Sequence, residues 1–127
     1  MPDVVVLATP EAYEQLSARL EDVSSVIAKY LGPALNKPSQ NIKLRLIFVR
    51  TEESVANVHF EVARTDHNMT DEERYEMQEA CIRALHDAWL AIEQRQHVRG
   101  VKTVDGTATI SKGTWGKVWQ LSGPKIN

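Results

Sequence analysis

The sequence predicts an α+β domain made of two β–α–β units, with one mixed four-stranded sheet, two helices on one face and a C-terminal hairpin. Three observations predict it. Val4-Val5-Val6-Leu7 is an apolar, β-branched run with no polar alternation. Two long stretches of helical periodicity each follow one strand-like segment and precede another. Asp105-Gly106 separates two short strand-like segments, Val101 to Val104 and Thr107 to Ile110, as a two-residue hairpin turn would.

The elements follow in order. Val4 to Leu7 reads as a central strand buried on both faces, with parallel neighbours. Thr9 and Pro10 are an N-cap and first-turn proline opening a helix. Leu16, Leu20, Val23, Ile27 and Tyr30 then recur at steps of three and four, one apolar stripe, until Gly32-Pro33 ends the helix. A loop from Ala34 to Asn41 leads to a second strand, Ile42 to Arg50. In it Ile42, Leu44, Leu46 and Phe48 share one face, and Lys43 and Arg45 the other. Val58, Phe60 and Val62 form the inner face of a third strand that ends at Arg64. Thr70-Asp71-Glu72-Glu73 is a capping box, and Met77, Cys81, Ala84, Leu85, Ala88 and Ile92 are the inner stripe of the helix it opens. That helix fades near Arg95 to His97, and the chain closes with the hairpin and a tail containing Trp115 and Trp119.

This order suits two architectures. In one, two parallel β–α–β units lie in one sheet with the first two strands as direct neighbours. In the other, a ferredoxin-like sandwich, another strand separates them. Periodicity does not choose between them.

A length of 127 residues fits a single domain, taken as 1–127. The formal net charge of −2, without a basic stripe, argues against nucleic acid as a partner. The longest apolar run, Val4 to Ala8, is too short to span a bilayer, and the N-terminus has no signal-peptide pattern. Cys81 is the single cysteine, so no intrachain disulfide forms, and the expectation is a cytoplasmic protein. Cys81 reads as a small core residue and Trp89 as packing beside the inner stripe. His59, His67, His86 and His97 lack zinc-ligand spacing, and no glycine-rich phosphate loop or nucleophile elbow occurs. No metal and no cofactor are expected.

The residues that could carry chemistry lie near the N-terminus and on the second strand. A small second residue such as Pro2 generally permits removal of Met1, which would leave a secondary amine at the start of a buried strand. Burial and nearby cations both favour the neutral form of an amine, the form that acts as a general base. If Met1 stays, the Pro2 nitrogen is a tertiary amide with no basicity. Lys43 and Arg45 share a face. On a strand parallel to the first they would stand near Pro2, bind a carboxylate and stabilise a developing enolate. On an antiparallel sheet they are an ordinary solvated face. Arg64, where its strand ends, either approaches the same sheet edge or is a surface loop arginine.

Met1-Pro2 before Val4-Val5-Val6, Leu35-Asn36-Lys37-Pro38, Ile42-Lys43-Leu44-Arg45, Val58-His59-Phe60 and Met69-Thr70-Asp71-Glu72-Glu73 form a pattern of elements over roughly residues 2 to 100. In this pattern the chain resembles the tautomerase superfamily. It is most similar in length and layout to the 5-carboxymethyl-2-hydroxymuconate isomerase branch, and only Pro2 is diagnostic. The resemblance implies the arrangement of two parallel β–α–β units and a homotrimer. It implies a keto–enol tautomerase of a small 2-oxo or 2-hydroxy-dienoate acid, with Pro2 as general base. Lys43 or Arg45 takes the place of a strand-two arginine, so Arg45 joins Pro2 as a catalytic candidate. Lys43 and Arg64 are the substrate-binding candidates. Position 43 is lysine, which binds a carboxylate as a point charge rather than a planar fork. The competing expectation is a non-catalytic ligand-binding or oligomerisation module in which Pro2 is incidental.

Overall fold

A computed structural model describes residues 2–35, 44–52, 56–66, 68–111 and 118–122, the last of these as backbone. The elements are β1 (Asp3–Ala8), α1 (Pro10–Ser17), α2 (Leu20–Leu35), β2 (Arg45–Arg50), β3 (Val58–Thr65), α3 (Asp71–Arg95), β4 (Val104–Ser111) and β5 (Val118–Ser122). The strands form one five-stranded sheet in the order β2-β1-β3-β4-β5. β1 is parallel to β2, with Asp3 opposite Arg45, and antiparallel to β3, with Asp3 opposite Ala63. β3 is parallel to β4, and β4 antiparallel to β5. The first two strands are thus direct neighbours, as two parallel β–α–β units in one sheet require and a ferredoxin-like order does not.

The strand registers put the core on one face. Val4, Val6 and Ala8 of β1 stand opposite Val62, Phe60 and Val58 of β3, and all six are buried. Phe60 and Val62 in turn pair with Gly106 and Ala108 of β4. The buried side chains of α1, α2 and α3 join these strand residues in one apolar cluster, so the helices cover this face. Phe60 meets Trp89 of α3 edge to face at 6.4 Å. The other face carries Asp3, Val5, Leu7, Arg45, Ile47, Val49, His59 and Glu61, and none of these is fully buried. Only one face of β1 is therefore sealed, not both as the unbroken Val4–Leu7 run predicts. Its β-branched content instead suits a strand hydrogen-bonded on both sides.

Local chemistry explains the helix boundaries. Thr9 is the N-cap of α1 with Pro10 in the first turn, as predicted. The predicted single helix then breaks. The Arg19 N–H turns back to Leu16 O at 3.2 Å, a three-residue step, and α2 begins at Leu20. This step rotates the stripe and leaves Leu20 44% exposed, whereas Leu16, Val23 and Ile27 stay buried. Gly32-Pro33 does not end the helix either, since α2 runs on to Leu35. Pro33 removes one N–H near the C-terminus, against an interior cost of about 3 kcal/mol. Burial of Leu31 and Leu35, at roughly 1.5–3 kcal/mol each, offsets it. The capping box forms as read: Thr70 Oγ1 accepts the Glu73 N–H at 3.1 Å, and Glu73 Oε1 accepts the Thr70 N–H at 3.1 Å.

The Asp105-Gly106 turn is corrected. Both residues lie inside β4, paired with His59 and Phe60. The C-terminal antiparallel pair is instead β4 with β5, where Thr107 stands opposite Ser122. Gly106 allows a close approach, since a Cβ there would lie 3.2 Å from Leu85 Cδ1 on α3 and 3.4 Å from Phe60 O, tighter than an ordinary contact. The second strand is described from Leu44 onward, and Trp115 lies outside the described residues. Gly106→Val should therefore overpack the α3–β4 contact and cost about 1–3 kcal/mol. Urea unfolding would show a lower midpoint at unchanged m, and an unchanged midpoint would contradict this close approach.

Candidate active site

The parallel β1–β2 pair and the antiparallel β1–β3 pair bring the start of β1, the start of β2 and the end of β3 to one end of the sheet. Pro2 lies there, buried, and its carbonyl accepts the Arg45 N–H at 2.9 Å. One step beyond the Asp3–Ala63 pair, the same register sets Pro2 opposite Arg64. By strand alternation both belong to the helix-covered face.

Arg64 is held by three segments distant in sequence. Its Nη1 donates to Leu35 O at 2.5 Å, at the C-terminus of α2, and approaches Met77 Sδ at 3.6 Å. Its Nη2 donates to Asp66 Oδ2 at 3.2 Å, and these two side chains are 13% and 12% exposed. The contact with Leu35 O satisfies a carbonyl that a helix end otherwise leaves without a donor. Asp66 is fixed in turn. Its N–H donates to Ser111 O at 2.9 Å, and its Oδ1 accepts the Asn68 N–H at 2.9 Å. A polar cavity of about 300 Å³ opens at this end of the sheet, lined by Asp3, Ala63, Arg64, Thr65, Thr109 and Ser111.

Arg45 lies at the same end but on the open face, 60% exposed. Its Nε and Nη2 donate to the two carboxylate oxygens of Asp3 at 2.9 and 3.0 Å, a two-point fork. The structure thus brings Arg64 to the face of Pro2 and leaves Arg45 on the opposite one. Lys43 lies outside the described residues, as does His67.

Two clusters escape the sequence patterns. Arg74 is fully buried in the first turns of α3. It donates to Met69 O at 2.5 Å and pairs with Asp71, and its Nε has no partner among the described residues. Gln78, one turn on, is also buried and accepts the Ile110 N–H at 3.0 Å. The spacing 74-78-81-85 extends the inner stripe back by one turn, a signal masked by the polarity of Arg74 and Gln78. On the open face His59 lies between Asp105, 2.5 Å from Nδ1, and Glu61, 3.2 Å from Nε2. Only the β3–β4 register reveals that grouping. Among the described residues no group of three or more His, Cys, Asp and Glu side chains is arranged to hold a metal ion. No helix among them is long and apolar enough to cross a membrane.

No protein-family model and no curated protein matches the chain. Among solved structures it is similar to a 5-carboxymethyl-2-hydroxymuconate isomerase from Deinococcus radiodurans R1. The two are 22% identical, the alignment covers 91% of this chain and 88% of that one, and the TM-score is 0.42. At this level of likeness the activity has to be argued from this chain's own residues.

Below Arg64, Cys81 of α3 is buried and its thiol is pushed up from 9.0 to about 12, chiefly by burial, with the Arg64 charge pulling the other way. The native thiol therefore stays protonated at pH 8 and should react with a disulfide reagent only on unfolding. The folded state holds this proton more tightly than the unfolded chain, so the contribution is intact below pH 9.0 and is lost as pH rises beyond it. A thiol titration at pH 8 with and without denaturant checks the first point, and fast labelling of the native protein would refute it.

Proposed function

We propose that the protein is an isomerase: a tautomerase of a small 2-oxo or 2-hydroxy-dienoate carboxylic acid, with Pro2 as its general base. The observation that carries this reading is the burial of Pro2 at the start of β1, on the face and at the register position of Arg64. With Met1 removed, the Pro2 nitrogen is a secondary amine of ordinary pKa about 8. Burial and a neighbouring guanidinium both favour its neutral form. With a 2-oxo acid the neutral amine takes the proton alpha to the carbonyl and the enolate oxygen is then protonated; with a 2-hydroxy-dienoate it takes the hydroxyl proton and returns it to a carbon of the conjugated system. Arg64 anchors the substrate carboxylate. Arg45 adds positive charge at this end of the sheet from the open face, which favours the enolate as it develops, and Lys43 is a substrate-binding candidate on its sequence pattern alone. Arg45 does so in part only, since Asp3 offsets its charge.

The half-exposed Ile47 and Val49 of the open sheet face, each 37% exposed, support a homo-oligomer. A trimer is the state proposed. A specific observation favours a second reading. Arg45 and Arg64 are each already paired with a carboxylate of this chain, as in a fold that uses its arginines only structurally.

Intact-mass measurement and a Pro2→Ala variant separate the two. The first reading expects a mature chain without Met1. It also expects Pro2→Ala to lower kcat/KM for phenylpyruvate or 2-hydroxymuconate by about 10²–10⁴, the usual range for a lost general base. A retained Met1, or unchanged turnover by Pro2→Ala, refutes it in favour of the second.

A further inference from the structure

We infer that Asp66 opposes the substrate carboxylate at Arg64: its charge, paired with the guanidinium, sets how tightly the site takes a carboxylic acid. The inference rests on the reading of Arg64 as the carboxylate anchor and adds the residue that tunes it. Two arginine–carboxylate pairs at this end of the sheet differ in geometry. Arg45 and Asp3 meet through two bonds, at 2.9 and 3.0 Å. Arg64 and Asp66 meet through one, at 3.2 Å. The cause lies in the turn after β3, where Asp66 Oδ1 is taken by the Asn68 N–H and Oδ2 is the oxygen that reaches Arg64.

A guanidinium carries five N–H donors in a fixed fork. Two Nη1 contacts and one Nη2 contact account for the hydrogen bonds of Arg64 among the described residues. Nε–H and the second Nη2–H remain, but any carboxylate using that edge comes up against the negative charge of Asp66. A substrate carboxylate that binds there in a two-point fork therefore does so beside the charge of Asp66, which lowers its affinity. The cavity that borders Arg64 opens toward the open face, where Asp3, Ala63, Thr65, Thr109 and Ser111 line it, so a carboxylate that enters there also meets the charge of Asp3. Leu35 O holds Nη1, which fixes the arginine beside the cavity.

The sign of the effect is diagnostic. An opposing charge weakens ligand binding, so removing it tightens binding. A residue that only orients Arg64 does the opposite. Asp66→Asn keeps an oxygen for the Asn68 N–H and removes the charge, and Asp66→Ser serves as a second variant with a different side-chain geometry. Binding of benzoate, a carboxylate that does not react, is measured by NMR titration in the wild type and in both variants. The same series is repeated with Pro2→Ala, so that the readout is independent of the proposed base. The expected result is benzoate binding at least about twofold tighter in Asp66→Asn and Asp66→Ser, with or without Pro2, since the pair is nearly buried and little screened. Arg64→Gln should abolish it. Equal or weaker binding in the Asp66 variants overturns the inference while leaving the Pro2 mechanism standing if the wild type turns over substrate. An absence of benzoate binding in every form overturns it as well.

Discussion

β1 is hydrogen-bonded along both edges, parallel to β2 and antiparallel to β3, and the rest of the molecule is placed by that double ladder. The parallel edge demands a crossover on one side of the sheet, which is where α1 and α2 lie. The antiparallel edge joins the second β–α–β half and fixes which face of β3 meets which face of β1. A slip of one residue would turn every inward side chain outward. The pairing of Val4 with Val62 and of Val6 with Phe60 excludes such a slip, because four buried apolar groups would be exposed.

The same ladder decides which charged groups can cooperate. Arg45 and Arg64 reach one end of the sheet, but alternation separates them across it. Arg45 shares the open face with Asp3, and the two neutralise each other in largely solvated surroundings, where such pairs contribute little. Arg64 enters the covered face, where lower polarity strengthens its contacts with Leu35 O and Asp66. Cys81 registers this environment: burial raises its thiol further than the nearby guanidinium lowers it.

Elements with a strong local cause were legible in the sequence. The Thr70–Glu73 capping box, the proline opening α1 and the 81-85-88-92 stripe rest on contacts within a turn or two of chain. Features whose cause lies elsewhere in the chain were not. Leu20 matches the stripe, yet a break two residues earlier rotates it outward. Asp105-Gly106 has the composition of a hairpin turn, but its glycine answers to Leu85 on α3 and its aspartate to His59 on β3. Of the site, Pro2 and Arg64 could be singled out from the sequence, but not their shared face, and Asp66 gave no signal. That needed the β1–β3 register and the turn at Asn68.

The Arg64 contacts also bear on the order in which the chain assembles. Leu35 belongs to the first β–α–β half, while Arg64, Asp66 and Met77 belong to the second. Bonds between residues so far apart in sequence form only after the intervening chain has closed, which sets them late relative to the helices themselves. Each half contains its own helices, yet neither alone contains a fully held Arg64. The anchor is completed at the docking of the halves, so a chain arrested before that step carries the secondary structure of this protein without its site.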